Sequence, residues 1–263
     1  MIPEERFQKI TELLKQKKAV TNKEIMSAVY ASLSTIRRDL IDLEKAGVVR
    51  RIKGGAMLAS STTAEVSGLV RFQQSKAEKQ SISAMAAEYL KDGQAIYLDS
   101  SSTTYYLCNW LSVRKNMVVV TNSIRVPIAL MNADSVRVFC AGGLLKHNSH
   151  SLIGSDTAQF LMKYRAEICF FSCMGLGSEG LFEADEQQVV IKSTMIRNAK
   201  RSILMVDHSK FCSEAFIKLA DFSAVDLILT DRQPDNWEEF DAETQAKMRW
   251  PKTESELNET ERN

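Results

Sequence analysis

The stretch Ser32-Leu33-Ser34-Thr35-Ile36-Arg37-Arg38-Asp39-Leu40-Ile41-Asp42-Leu43-Glu44-Lys45-Ala46-Gly47 decides how this chain is read. Ile36, Leu40 and Leu43 recur at helical spacing, so one face can bury while Arg37 and Arg38 point away from it. Ser32 can cap the start with its hydroxyl, and Gly47 can end the helix in a left-handed conformation. Two arginines near the start of a capped helix suit a DNA major groove, because the early residues of a docked helix meet base edges and phosphates. The planar guanidinium fork pairs with guanine or with a phosphate at two points. Ser34 and Thr35 of the same turn join them as candidate DNA contacts.

A plain surface helix can also carry two solvated arginines. The neighbours favour the groove reading. Upstream, Asn22 to Tyr30 reads as a short helix with Ile25, Met26 and Val29 inward, at the spacing of a helix-turn-helix. Downstream, Val48-Val49-Arg50-Arg51-Ile52-Lys53-Gly54-Gly55-Ala56 reads as a strand, a basic turn and a return strand, which is a wing. Further upstream, Glu4 to Lys17 reads as a helix with Phe7, Ile10, Leu13 and Leu14 on one face.

Thr35-Ile36-Arg37-Arg38-Asp39-Leu40, then Leu43-Glu44, Gly47, Arg50 and Lys53-Gly54-Gly55-Ala56, resemble the N-terminal signature of the DeoR family of bacterial transcription regulators. The resemblance implies a winged helix-turn-helix over residues 1–58 that binds operator double-stranded DNA. In that reading Arg37 and Arg38 contact the operator. Arg50, Arg51, Lys53 and Gly54 on the wing grip phosphate or minor groove.

Charge agrees with a polyanion partner at one end. Residues 1–58 hold 12 Lys/Arg against 7 Asp/Glu, while the whole chain of 263 residues nets only +1. The length suggests about two domains, and 44% hydrophobic with 25% charged residues is ordinary for a globular protein. No run approaches the ~18 apolar residues of a membrane helix, and the first ten residues do not read as a signal peptide. A cytoplasmic protein without membrane contact is expected. Cys108, Cys140, Cys169, Cys173 and Cys212 are odd in number and scattered, so reduced, buried thiols are expected.

Residues 59–74, small and polar at Ala59 to Ala64, read as a linker. From residue 75 to 235 apolar runs alternate with amphipathic helices. The runs are Ala95–Leu98, Met117–Val120, Val136–Cys140, Ile168–Cys173, Ser202–Val206 and Val225–Leu229. The helices are Thr103–Leu111, Ile124–Met131, Thr157–Lys163 and Gln187–Lys200. The alternation predicts an α/β domain with a mainly parallel sheet covered on both faces. Residues 236–263 read as a polar tail.

Ligands of such sheets bind beyond the carboxyl ends of the strands. The residues found there are Asp99, Ser100, Ser101, Ser102, Thr103 and Thr104, then Thr121 and Asn122, then Gly142 and Gly143, then Gly175, then Asp207 and Lys210. Lys192 on the last helix could add a cation. Hydroxyls and backbone N–H groups opening a helix can hold an anion. Each has a plainer reading too: a Ser/Thr run caps helices, Gly pairs make turns, and Asp207 with Lys210 can be a surface ion pair.

Asp99–Thr104, Val120-Thr121-Asn122-Ser123, Ala141-Gly142-Gly143, Gly175, Lys192 and Asp207-x-Ser209-Lys210-Phe211 resemble the DeoR-type C-terminal sensor domain, which is similar to ribose-5-phosphate isomerase. The resemblance spans residues 5–231. It implies a small phosphorylated sugar as effector, with Asp99 to Thr104 as the phosphate loop, and an oligomer, dimer or tetramer. The family commonly has Gly where this chain has Ser101, and often Gly where it has Cys212. If the backbone is unchanged, a side chain there costs ~1 kcal/mol or more.

Two functions compete. One is a ligand-controlled transcription regulator, most readily a repressor of a carbohydrate operon. The other is a sugar-phosphate isomerase with an accessory head, which needs a carboxylate base that no spacing here reveals. No cofactor or metal is expected: His147-x-x-His150 has no matching Cys or carboxylate ligands and reads as a polar loop.

Overall fold

The structure, a computed structural model, describes residues 2–17, 19–58, 68–147 and 149–251. The chain divides into two compact units, Met1–Ser75 and Lys76–Asn263.

The first unit runs α1 (Pro3–Lys17), β1 (Ala19–Thr21), α2 (Asn22–Val29), α3 (Leu33–Lys45), β2 (Val49–Ile52), β3 (Gly55–Leu58) and α4 (Gly68–Gln73). Its helix ends follow from side-chain chemistry. Thr21 and Glu24 form a capping box at α2, each side chain taking the other's backbone N–H. Ser32 caps α3 by accepting the Thr35 N–H at 3.3 Å. At the far end, Gly47 takes φ 71°, and the N–H groups of Gly47 and Val48 return to Glu44 and Leu43. This is a Schellman stop, as the glycine predicts.

Ile10, Leu14, Ile25, Val29, Ile36, Leu40 and Leu43 close one core between the three helices. β2 and β3 pair antiparallel around Lys53-Gly54, and β1 adds to β3 to give the order β1-β3-β2. β1 is three residues long and carries no sequence signal. Gly55 lets it approach, since a Cβ there would lie 2.1 Å from the Val20 carbonyl oxygen.

The linker expected over 59–74 needs correction. Residues 59–67 lie outside the described residues, but 68–73 form α4, and Val70 packs against the first core.

The second unit contains α5 (Lys76–Ala87), β4 (Ala95–Leu98), α6 (Cys108–Leu111), β5 (Met117–Thr121), α7 (Arg125–Leu130), β6 (Val136–Cys140), β7 (Leu144–Lys146), β8 (Ser151–Ile153) and α8 (Ser155–Met162). It continues through β9 (Ala166–Phe171), β10 (Gly175–Gly177), β11 (Gly180–Glu183), α9 (Glu186–Arg197), β12 (Ala199–Met205), β13 (Ile217–Ala220), β14 (Leu227–Leu229), α10 (Ala242–Lys247) and β15 (Met248–Arg249). Seven strands form one sheet in the order β15-β14-β12-β9-β4-β5-β6, and every neighbouring pair is parallel.

Alternate side chains of this sheet feed two cores. Ile96, Leu98, Phe170, Ile203 and Met205 pack with Ile82, Leu107, Leu111 and Val126 on one face. Tyr97, Cys169, Phe171 and Leu204 pack with Leu161, Ile191 and Met195 on the other. The α/β expectation holds. From the centre, β4, β5 and β6 run outward one way and β9, β12, β14 and β15 the other, so the order reverses between β4 and β9. A crevice opens at such a reversal because successive crossovers leave on opposite faces.

Three other readings change. The Thr103–Leu111 helix is broken into a 3-10 turn, Thr104–Leu107, followed by the single turn of α6. The antiparallel pieces β7–β8 and β10-β11-β13 were hidden in short, Gly-bearing segments. The polar tail begins later than 236: Phe240 and Met248 are buried, and β15 pairs with β14. Residues 252–263 lie outside the described residues.

Candidate functional site

On the first unit, burial of Ile36, Leu40 and Leu43 turns the opposite face of α3 outward. Ser34, Arg37 and Arg38 are exposed there and Thr35 is half-buried. Among the described residues, neither the Arg37 nor the Arg38 side chain has an ion pair or hydrogen bond. Asp39, next in sequence, faces inward and is held by Arg6 of α1 through two bonds, at 2.6 and 2.8 Å. The acid beside the arginines is therefore spent on the fold. The hydroxyls of Ser34 and Thr35 both lie 2.9 Å from that of Ser32.

On the wing, Arg50 and Lys53 are exposed, and Gly54 takes φ 85° in the turn. Arg51 differs from the expectation. Its side chain pairs with Glu44 at 2.7 Å and its backbone N–H bonds the same carboxylate at 2.9 Å. Those bonds hold the Glu44 carboxyl below its ordinary value. Arg51 thus ties wing to α3, while Arg50 and Lys53 are the outward cations.

On the second unit, Asp99 is buried where β4 ends, at the reversal. One carboxylate oxygen accepts from the Ser101 N–H (3.1 Å), the Ser101 hydroxyl (2.6 Å) and the Thr104 hydroxyl (2.7 Å). The other accepts from the Ser172 N–H at 3.2 Å, across the reversal at the end of β9. Lys192 Nζ lies 3.6 Å from that second oxygen, donates to the Ser172 carbonyl at 2.7 Å, and pairs with Glu183. Burial disfavours the Lys192 charge, but the Glu183 and Asp99 carboxylates outweigh it and raise its pKa. Lys192 thus reaches the end of the sheet as an internal ammonium engaged by Ser172, Asp99 and Glu183.

The loop then sorts itself. Ser101 and Thr104 serve Asp99. Ser102 and Thr103 are buried, and among the described residues their hydroxyls and N–H groups have no partner. Ser101 is not in the left-handed region, so the expected cost of a non-glycine residue there does not arise. Cys212, at φ 53°, is in that region.

The remaining expected residues have mixed placements. The Asn122 amide donates to the Leu152 carbonyl at 3.1 Å and to Ser100 Oγ at 3.4 Å, leaving its own buried oxygen without a donor. The Thr121 hydroxyl accepts the Ser123 N–H at 3.0 Å. Gly143 and Gly175 are packing glycines: a Cβ would lie 2.1 Å from Thr157 Oγ1 and 2.2 Å from the Ser213 carbonyl, respectively. Gly142 is exposed, and its carbonyl accepts from Thr157 at 2.7 Å.

Asp207 is buried and caps its own turn by accepting from Ser209 at 3.1 Å. Burial works against its charge, yet Lys210, Ser209 and Lys79 bring its pKa below the ordinary value. Asp207 and Lys210 are therefore not a surface pair alone.

Sequence reasoning missed Glu183, Ser172, Lys79 and the buried amide Gln188, which bonds Ser151 at 2.8 Å. Glu183 and Lys192 lie on different elements, so no helical or strand spacing links them. Among the thiols, Cys140 and Cys212 are exposed, contrary to expectation, while Cys108, Cys169 and Cys173 are buried. Burial lifts the Cys173 thiol to about 12. His147 and His150 lie in the β7–β8 turn.

Among the described residues no helix is long and apolar enough to cross a membrane. Residues 6–62 match the DeoR-like helix-turn-helix domain model, and residues 74–232 match the DeoR C terminal sensor domain model. The chain is 32% identical over 234 residues to the HTH-type transcriptional repressor GlcR of Bacillus subtilis, covering 89% of this chain and 90% of that one. It is 32% identical over 231 residues to the glycerol-3-phosphate regulon repressor of Escherichia coli, covering 88% and 91%. A solved D-ribose-5-phosphate isomerase in complex with phospho-erythronic acid aligns over 52% of this chain and 54% of its own, at 14% identity and a TM-score of 0.39. Sequence signature, outward arginines and both domain models agree: this chain belongs to the DeoR family of helix-turn-helix transcription regulators.

Proposed function

We propose that this chain represses a carbohydrate-metabolism operon and is released or retuned by a small phosphorylated sugar bound at the strand-end crevice. The observation that carries the DNA half is the outward, unpaired Arg37–Arg38 pair on α3, flanked by Arg50 and Lys53 on the wing. Arg37 and Arg38 contact the operator. Ser34 and Thr35 join them, with Arg50, Lys53 and Gly54 on the backbone. Arg51 acts by holding the wing. An oligomer would bring two heads to two half-sites. Repression is supported by the names of both relatives.

The effector half is supported by Ser102 and Thr103, whose four donors are uncommitted beside Ser100, Thr121 and Asn122. Short donors of this kind suit phosphate oxygens. The broken helix that follows gives little macrodipole, so the hydrogen bonds must do the work. Two residues that could serve an isomerase are already engaged: Asp99 by four hydrogen bonds and Lys192 by Glu183 and Ser172. We therefore read a sensor rather than an enzyme, acting in the cytoplasm without cofactor.

A thermal-shift screen of phosphorylated sugars tests this. A true effector raises the melting temperature and, by linkage, changes affinity for operator DNA. Turnover of a pentose phosphate by the purified protein would reverse the reading, and stabilisation by none of the compounds would end the effector half.

A further inference from the structure

We propose that Tyr30 is an additional DNA contact, its phenol hydroxyl donating to a phosphate of the duplex backbone beside the groove that α3 enters. Tyr30 ends α2 with φ 51° and ψ 45°, the left-handed region, where a residue with a Cβ is held at a cost of ~1 kcal/mol. Tyr30 is 90% exposed, and no large hydrophobic residue described as exposed is more so. The left-handed turn ends α2, a place glycine or asparagine fills at lower cost, and core packing does not account for a tyrosine there. The neighbouring Val29 is buried and fixes where the turn lies.

Location supplies the reason. Tyr30 stands two residues before Ser32, the cap of α3, and Ser34, Arg37 and Arg38 are exposed on the turns that follow. A duplex docked against the first turns of α3 runs its backbone past the turn that precedes them. A ring with a polar tip fits that boundary, packing on sugar while the hydroxyl meets phosphate. Strain retained at an exposed aromatic residue is what a contact made only in the complex would leave in the free protein. The contact is neutral, so it adds affinity without displacing a counterion.

The test uses the full-length protein and a labelled mixed-sequence DNA duplex, titrated by fluorescence anisotropy over a range of salt. A phosphate contact acts on any duplex, so no operator is required. Tyr30→Phe keeps backbone and ring, and should bind about fivefold to tenfold more weakly at every salt with an unchanged salt slope. Its melting temperature should equal the parent's. Tyr30→Asn tolerates the left-handed turn, and should melt higher yet bind at least as weakly as Tyr30→Phe. Lys53→Ala, by contrast, should flatten the salt slope by about one. Affinity within about twofold of the parent for Tyr30→Phe, or for Tyr30→Asn, overturns the proposal.

Discussion

Asp39 of α3 is clamped by Arg6 of α1 through both carboxylate oxygens, at 2.6 and 2.8 Å, with the acid almost fully buried. The pair adds to the buried apolar face in fixing the rotation of α3: Asp39 is turned inward, and Arg37 and Arg38 are presented outward. It also removes a carboxylate from the face that carries Arg37 and Arg38.

Asp39→Asn should therefore act twice. It leaves the Arg6 guanidinium facing a neutral amide, costing about 2–4 kcal/mol in the stability of the first unit. It should also weaken DNA binding in protein that remains folded, because α3 loses its fixed rotation. Thermal melts followed by gel-shift titration below the melting transition read both. An Asp39→Asn variant as stable as the parent would show that packing alone orients α3.

Lys192 is the hinge of the crevice electrostatics. Its pKa is raised by Glu183 and Asp99, so its contribution is complete below the ordinary lysine value and is lost only as pH climbs through the higher folded value. Stability should thus be indifferent to this group between pH 7 and pH ~10. Lys192→Met leaves the buried Asp99 and Glu183 carboxylates without the cation they share. The variant should be markedly less stable than the parent at pH 7, because breaking a buried ion pair leaves its charge uncompensated. Urea melts at several pH values check both.

Ser101 and Cys212 give opposite outcomes for the same substitution. Cys212→Gly relieves a left-handed residue and should gain about 0.5–1 kcal/mol, since glycine adopts that conformation freely. Ser101→Gly loses hydroxyl bonds to Asp99 and Thr104, at 2.6 and 2.8 Å, and relieves no strain. It should lose about 1–2 kcal/mol. Paired denaturant titrations decide it, and a gain in both variants would refute the assignment.

Local chemistry made much of this protein legible from the chain alone. Caps at Ser32 and Gly47, the apolar face of Ile36, Leu40 and Leu43, and the basic turn at Lys53-Gly54 each act within a few residues, so their spacing is visible in one dimension. The parallel sheet was legible for the same reason, as apolar runs alternating with amphipathic helices. Only the tertiary structure decided which charges are free. It turned Asp39 to Arg6, Arg51 to Glu44, and Lys192 to Glu183 and Asp99, and it paired β15 with β14. Those choices join segments distant in the chain, or residues on different elements, and no periodicity records them. They depend on which side chains are desolvated together once the layers close.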